Sequence, residues 1–198
     1  MNGKVIGFII LGLVIILGLW TMGWYNGAVV KNEGVTAQWG NVESSYQRRN
    51  DLIPNIVATA KKYAEFEQET LTGVIEARSK ATAIQVDASN LTAEQIQQFS
   101  QAQGAVSSGL GRLLATYENY PNLKANENFK ELINELERTE NRINVERNRY
   151  NGVVKDYNLQ LRTFPGNIFA ALFGFDKSPY FEAEAGAEKA PKVGDLFE

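Results

Sequence analysis

The sequence predicts an all-α fold, with an N-terminal transmembrane helix followed by an antiparallel bundle of long helices. Three observations carry that expectation. Residues 5–24 hold no charge and are rich in Ile, Leu, Val and Gly. From residue 28 to residue 163 apolar residues recur at three-and-four spacing, without sustained period-two alternation. Proline, which would punctuate long helices, occurs only five times in 198 residues, so few breaks are imposed.

The chain divides into a short flank (1–4), a transmembrane anchor (5–25), a long-helix region (26–164), a short apolar segment (165–175) and a tail (176–198). The anchor begins at Val5. Twenty uncharged residues at 1.5 Å rise give ~30 Å of helix, the thickness of a bilayer hydrocarbon core. Trp20, Trp24 and Tyr25 crowd its C-terminal end, where amphipathic rings favour the headgroup level. The run exceeds a signal-peptide core and lacks a small-residue cleavage site, so it reads as an anchor that stays. Lys4 and the amino terminus precede it, and Lys31 after it is offset by Glu33. The balance leans toward an inside N-terminus and a soluble domain outside the cytoplasm, on the periplasmic side.

Beyond the anchor, positions seven apart read Val35, Val42, Arg49, Ile56, Tyr63, Thr70, Ala77. The companion series reads Trp39, Tyr46, Ile53, Ala60, Glu67, Val74, Ala81. Together they form a seam at coiled-coil spacing, interrupted by Arg49 and Glu67. Pro54 falls inside it and either kinks the helix or reverses the chain, with Asp51 then capping a new helix. A kink leaves three long helices and puts Phe164 far from the bilayer; a reversal makes four and returns it.

Residues 82–90 lose the pattern and read as a loop. Thr92 and Gln95 fit a capping box that opens the next helix, running to about Tyr117 and rich in Ala, Gly and Ser. Tyr120-Pro121-Asn122 marks a turn, and Asn126 or Asn128 can open the last long helix. Phe129, Leu136, Ile143, Tyr150, Tyr157 and Phe164 lie seven apart along it, and Phe164-Pro165-Gly166 ends it. Residues 167–175 are strongly apolar but too short to span a bilayer. Ile168, Phe169, Leu172, Phe173 and Phe175 therefore cover the bundle's end, meet a neighbouring copy or a partner, or enter a membrane interface. From residue 176 the Ala-, Glu- and Lys-rich tail reads as mobile and solvated. Gly23 and Gly27 form a small-xxx-small pair at the anchor's end.

Composition narrows the function. A net charge of −3 and a pI near 5.2 argue against nucleic-acid binding. The chain has neither cysteine nor histidine, which removes catalytic thiols, His-based triads, disulfides and Cys or His zinc sites. No catalytic, cofactor-binding or metal-ligating set stands out. The charges near the seam, Arg49, Glu67, Glu140 and Arg147, read as buried ion pairs that fix helix register: Glu67 or Glu140 with Arg147, or Arg49 with a facing acid. Self-association at the membrane through helix surfaces is the expected mode of action, ahead of an accessory or adaptor role for an envelope protease or other membrane partner and of an enzyme using carboxylates and tyrosines alone.

These strings together resemble the LemA family. The resemblance rests on Tyr25-Asn26, on Arg48-Arg49-Asn50-Asp51-Leu52-Ile53-Pro54-Asn55, and on Tyr63, Glu67 and Ala77-Arg78. It continues with Glu118-Asn119-Tyr120-Pro121-Asn122-Leu123-Lys124-Ala125, Thr139-Glu140-Asn141, Arg147, Tyr150-Asn151, Tyr157-Asn158 and Phe164-Pro165. Phe66 departs from it, since some relatives carry histidine there. The resemblance implies a bacterial membrane-anchored protein of long antiparallel helices without known catalytic activity. It also implies relatives in magnetosome membranes, and others that accompany envelope metalloproteases.

Overall fold

In a computed structural model, residues 3–62 and 67–182 are described. The predicted positions Tyr63 and Phe66, and the tail from residue 183, lie outside the described residues. Among the described residues six helices occur in order: α1 (Gly3–Ala60), α2 (Gln68–Thr82), α3 (Ala93–Tyr117), α4 (Pro121–Lys124), α5 (Glu127–Arg162) and α6 (Gly166–Phe173). No strand is present among the described residues.

The anchor and the spine of the bundle are one helix. α1 runs unbroken for 58 residues, ~87 Å at 1.5 Å per residue. Its first turns are exposed: Phe8, Ile16 and Leu19 are 75%, 64% and 66% exposed. Its later turns are the core, because Val35, Trp39, Val42, Tyr46, Arg49, Ile53, Ile56 and Ala60 are all buried. Each large apolar side chain so buried contributes ~1.5–3 kcal/mol. The seam therefore holds as read as far as Ala60.

Pro54 does not reverse the chain, and Asp51 does not cap a new helix, because α1 continues through both. Pro54 has no N–H to donate to the carbonyl of Asn50. Arg78 of α2 supplies the missing donor, its Nε bonding that carbonyl at 2.6 Å. The ring of Pro54 faces solvent, where it displaces nothing.

The reversal lies between Ala60 and Gln68. α2 then runs back along α1, with Arg78 at Asn50 and the following loop bringing Ala88 to Thr36. α3 turns outward again after the capping box, in which Thr92 and Gln95 exchange both bonds at 3.0 and 3.2 Å. α3 packs on α2 where Gly109 stands against Val74. The side chain of Asn126 caps α5 by accepting from the Phe129 amide at 2.9 Å. α5 descends antiparallel to α1, with Glu140 at Arg49, Glu146 at Gln38 and Gln160 at Trp24.

Four long helices result, although the chain does not reverse at Pro54. Phe164 consequently returns to the level of Trp24. It leaves the buried series that precedes it and is 82% exposed.

Candidate functional site

α3 stands away from α5, and a cavity of about 700 Å³ opens between them above α1. Its floor is Arg49, only 1% exposed on a helix that would otherwise bury an apolar residue there. Such a charge must be satisfied in place. Arg49 Nη1 donates to Glu140 Oε1 at 2.9 Å and Ser107 Oγ at 2.7 Å, and Nη2 donates to both oxygens of Gln103. The guanidinium also lies 5.1 Å from the Tyr46 ring centre. The fork thus ties α1, α3 and α5 into one register.

Six residues further along α5, toward the membrane, Glu146 is also buried, at 1% exposure. It accepts from Gln38 at 2.8 Å and pairs with Arg142 at 2.7 Å and Arg149 at 3.1 Å. The Gln38 hydrogen bond and the two guanidinium groups hold its carboxyl below the usual range against the cost of burial. Burial pushes Glu43, on α1, the other way.

The third feature is a strap. Residues 176–182 carry no helix and lie along α5 toward the cavity. Asn158 exchanges two bonds with the backbone of Ser178, at 2.8 and 3.0 Å. Asn151 does the same with Phe181, at 3.0 and 2.9 Å. The hydroxyls of Tyr157 and Tyr150 donate to the carbonyls of Asp176 and Pro179, both at 3.0 Å. Burial raises the pKa of both phenols, so they stay protonated donors. Phe181 inserts at 5% exposure and stacks on Trp39 at 5.5 Å.

The fourth feature is an aromatic collar at the anchor's end. Phe169 meets Trp20 and Trp24 at 5.4 and 5.3 Å, Phe173 meets Tyr25 at 5.2 Å, and Phe175 meets both Trp24 and Tyr25.

A family model described as the LemA family matches residues 38–194. This chain belongs to the LemA family. Its relatives include Magnetosome protein MamQ 2 of Paramagnetospirillum magneticum, 24% identical over 88% of this chain and 70% of the relative. Magnetosome protein MamQ of Magnetospirillum gryphiswaldense is 25% identical over the same shares. Protein LemA of Metamycoplasma hominis is 25% identical over 72% of this chain and 61% of its own length. Membrane anchoring through α1 agrees with this membership.

Mapped onto the geometry, the LemA-like strings have distinct tasks. The run from Arg48 to Asn55 holds the buried fork of Arg49 and the carbonyl that Arg78 serves. The two Tyr-Asn pairs, seven residues apart, hold the strap. Of the four predicted seam charges, the fold brings Arg49 and Glu140 together, the second of the two pairings expected. Glu67 is not on the seam. It sits exposed before the first turn of α2, accepting from Thr70 Oγ1 at 3.2 Å. Arg147 lies 5.1 Å from the ring centre of Phe181 and donates to the carbonyl of Glu182.

Residues 176–182 correct the expectation of a solvated tail from 176 onward, since apolar insertion and seven hydrogen bonds outweigh their polar composition. Gly27 is occupied within the chain, with the amide of Gln160 packed against it. The apolar seam alone points to neither Glu146 nor Gln103. Gln103 follows Phe99 and precedes Val106 at helical spacing, which is a readable signal. Among the described residues no three carboxylates gather as a metal site.

Proposed function

We propose that this chain is a non-enzymatic, membrane-anchored scaffold of the bacterial cell envelope that self-associates into a larger membrane-linked assembly. The continuity of α1 carries the reading: one helix is both membrane anchor and bundle spine, so the domain is held in fixed orientation to its own membrane span. The polar clusters serve this role by locking helix register rather than by presenting reactive groups. Val145, Gly152 and Leu159 form an outward stripe on α5, with Val145 and Leu159 44% and 54% exposed. That stripe suits a second copy of the chain. The relatives named as magnetosome proteins support a membrane-associated role here. Membrane lipid and other copies are then the principal partners, and the soluble domain stands on the periplasmic side.

Mass photometry of the nanodisc-reconstituted protein across concentrations tests it. Assemblies larger than one copy are expected, and strictly monomeric particles throughout would overturn self-association. The cavity between α3 and α5 favours a second reading, an adaptor that receives a segment of an envelope protease or another membrane protein. Gentle extraction from native membranes separates the two, since an adaptor brings a stoichiometric partner and a self-assembler brings only itself.

A further inference from the structure

The bundle ends where the anchor leaves its apolar stretch. Gln160 Nε2, in the last turn of α5, donates to the carbonyl of Trp24 at 3.0 Å. The turn at residues 163–165 and α6 therefore stand beside Trp20, Trp24 and Tyr25. One side of α6 is used up against those rings. The other is bare: Phe164, Ile168 and Leu172, spaced four apart, are 82%, 54% and 70% exposed.

This bare face differs from the scattered apolar residues of a soluble surface. No charge occurs from Thr163 to Phe175; Arg162 precedes the stretch and Asp176 and Lys177 follow it, all three exposed. The face is continuous with the outer surface of the anchor, where Leu17 and Trp20 are 58% and 48% exposed. It is also pinned there. A Cβ on Gly166 would collide with the carbonyl of Gln160 and the indole of Trp24, so only glycine lets α6 start this close to α1. Gly174, at φ +72°, ends the helix in the left-handed conformation glycine tolerates.

We propose that α6 and Phe164 form a second membrane contact. They lie along the headgroup–acyl boundary of the bilayer that α1 crosses, with lipid chains covering Phe164, Ile168 and Leu172. The proposal rests on α1 being a membrane span. An eight-residue helix is ~12 Å long, too short to cross and suited to lying flat. Interfacial helices sink an apolar face ~5–10 Å while cationic neighbours reach headgroup phosphates. Arg162 and Lys177 are placed for that. The anchor's end rings occupy the same depth, as aromatic residues do at a membrane boundary.

Because the protein has no cysteine, single spin labels report unambiguously. Leu13→Cys, Leu172→Cys and Glu131→Cys variants of the full chain are labelled in vesicles of phosphatidylethanolamine and phosphatidylglycerol. Power saturation then compares collisions with oxygen and with a water-soluble nickel chelate. The oxygen-to-nickel ratio at Leu172 is expected several-fold above that at Glu131 and below that at the mid-bilayer Leu13, with Ile168→Cys giving the same reading independently. A Leu172 ratio equal to that of Glu131, with Leu13 still in lipid, overturns the second contact and leaves the anchor. Aqueous readings at both Leu172 and Leu13 overturn both. Shielding of Leu172 from both reagents, with short label-to-label distances, assigns the face to a second copy and overturns lipid as its occupant.

Discussion

Arg78 donates to the backbone carbonyl of Asn50, and that carbonyl is the one Pro54 leaves without a helical partner. A proline inside a helix costs ~3 kcal/mol and orphans an acceptor. Here a cationic donor from the next helix meets that acceptor, so the defect in α1 becomes the point where α2 is fastened. Arg78→Ala is expected to lower stability by ~1.5–3 kcal/mol, the range for hydrogen bonds to charged groups. In a Pro54→Ala background, where residue 54 regains its N–H, the same change should cost ~1 kcal/mol less. Denaturation midpoints of the four proteins in one detergent give the coupling directly. Strict additivity would mean that Arg78 acts by packing alone.

Removing the buried fork should be far more damaging. Arg49→Ala leaves Gln103 and Glu140 without their donor and empties the floor of the cavity, an expected loss of ~3–5 kcal/mol. Arg49→Lys should rescue little, because an ammonium cannot reach acceptors on two helices in the fork geometry. Glu140→Gln, at a site with a third of its side chain exposed, should cost only ~1 kcal/mol. Thermal melting followed by circular dichroism ranks the three.

Glu146 makes stability depend on acid. Its folded pKa lies below its unfolded value of ~4.3. Its contribution is therefore complete above that value and is lost as pH falls through the folded pKa. Glu146→Gln should be ~1.5–3 kcal/mol less stable at pH 7, from lost charge-assisted bonds. The gap to the parent protein should narrow steadily below about pH 4. Urea titrations at pH 7, 5 and 3 measure it; a gap constant with pH would remove the carboxylate from the account.

The strap should come free without unfolding the bundle. Asn151→Ala or Asn158→Ala each deletes two bonds to its backbone, and amide exchange at Ser178 and Phe181 should quicken ~10-fold or more. Amides at Leu136 and Ile143, deep in α5, should be unchanged. Hydrogen exchange with mass spectrometry resolves both regions, and equal acceleration everywhere would make the strap part of the core.

The two long seams were legible because burial imposes their period: every described position from Val35 to Ala60 in the two heptad series of α1 is inside. The place of the chain reversal was not. Pro54 carries the local signal for a break, whereas the residues between Ala60 and Gln68 are mostly good helix formers. Tertiary contacts decided otherwise, and the decisive one, Arg78 to Asn50, joins helices whose relative register cannot be read from either alone. Arg49 was legible as a charge on an apolar seam, and an acid facing it was expected. That Gln103 and Ser107 complete its shell depends on how α3 is laid beside α1. The strap was hidden for a different reason. Its seven residues are too short to show a period, and their anchoring signal sits elsewhere, in the repeated Tyr-Asn pairs of α5.

The unbroken α1 also makes the protein a lever. From Tyr25 to Ala60 the rigid helix reaches ~50 Å beyond the membrane surface. Spans commonly lean ~20° from the bilayer normal to match its thickness, and a lean of that size carries the far end roughly 18 Å sideways. A change in lipid thickness of a few ångströms at the foot is thereby magnified into a displacement wider than a helix at the tip.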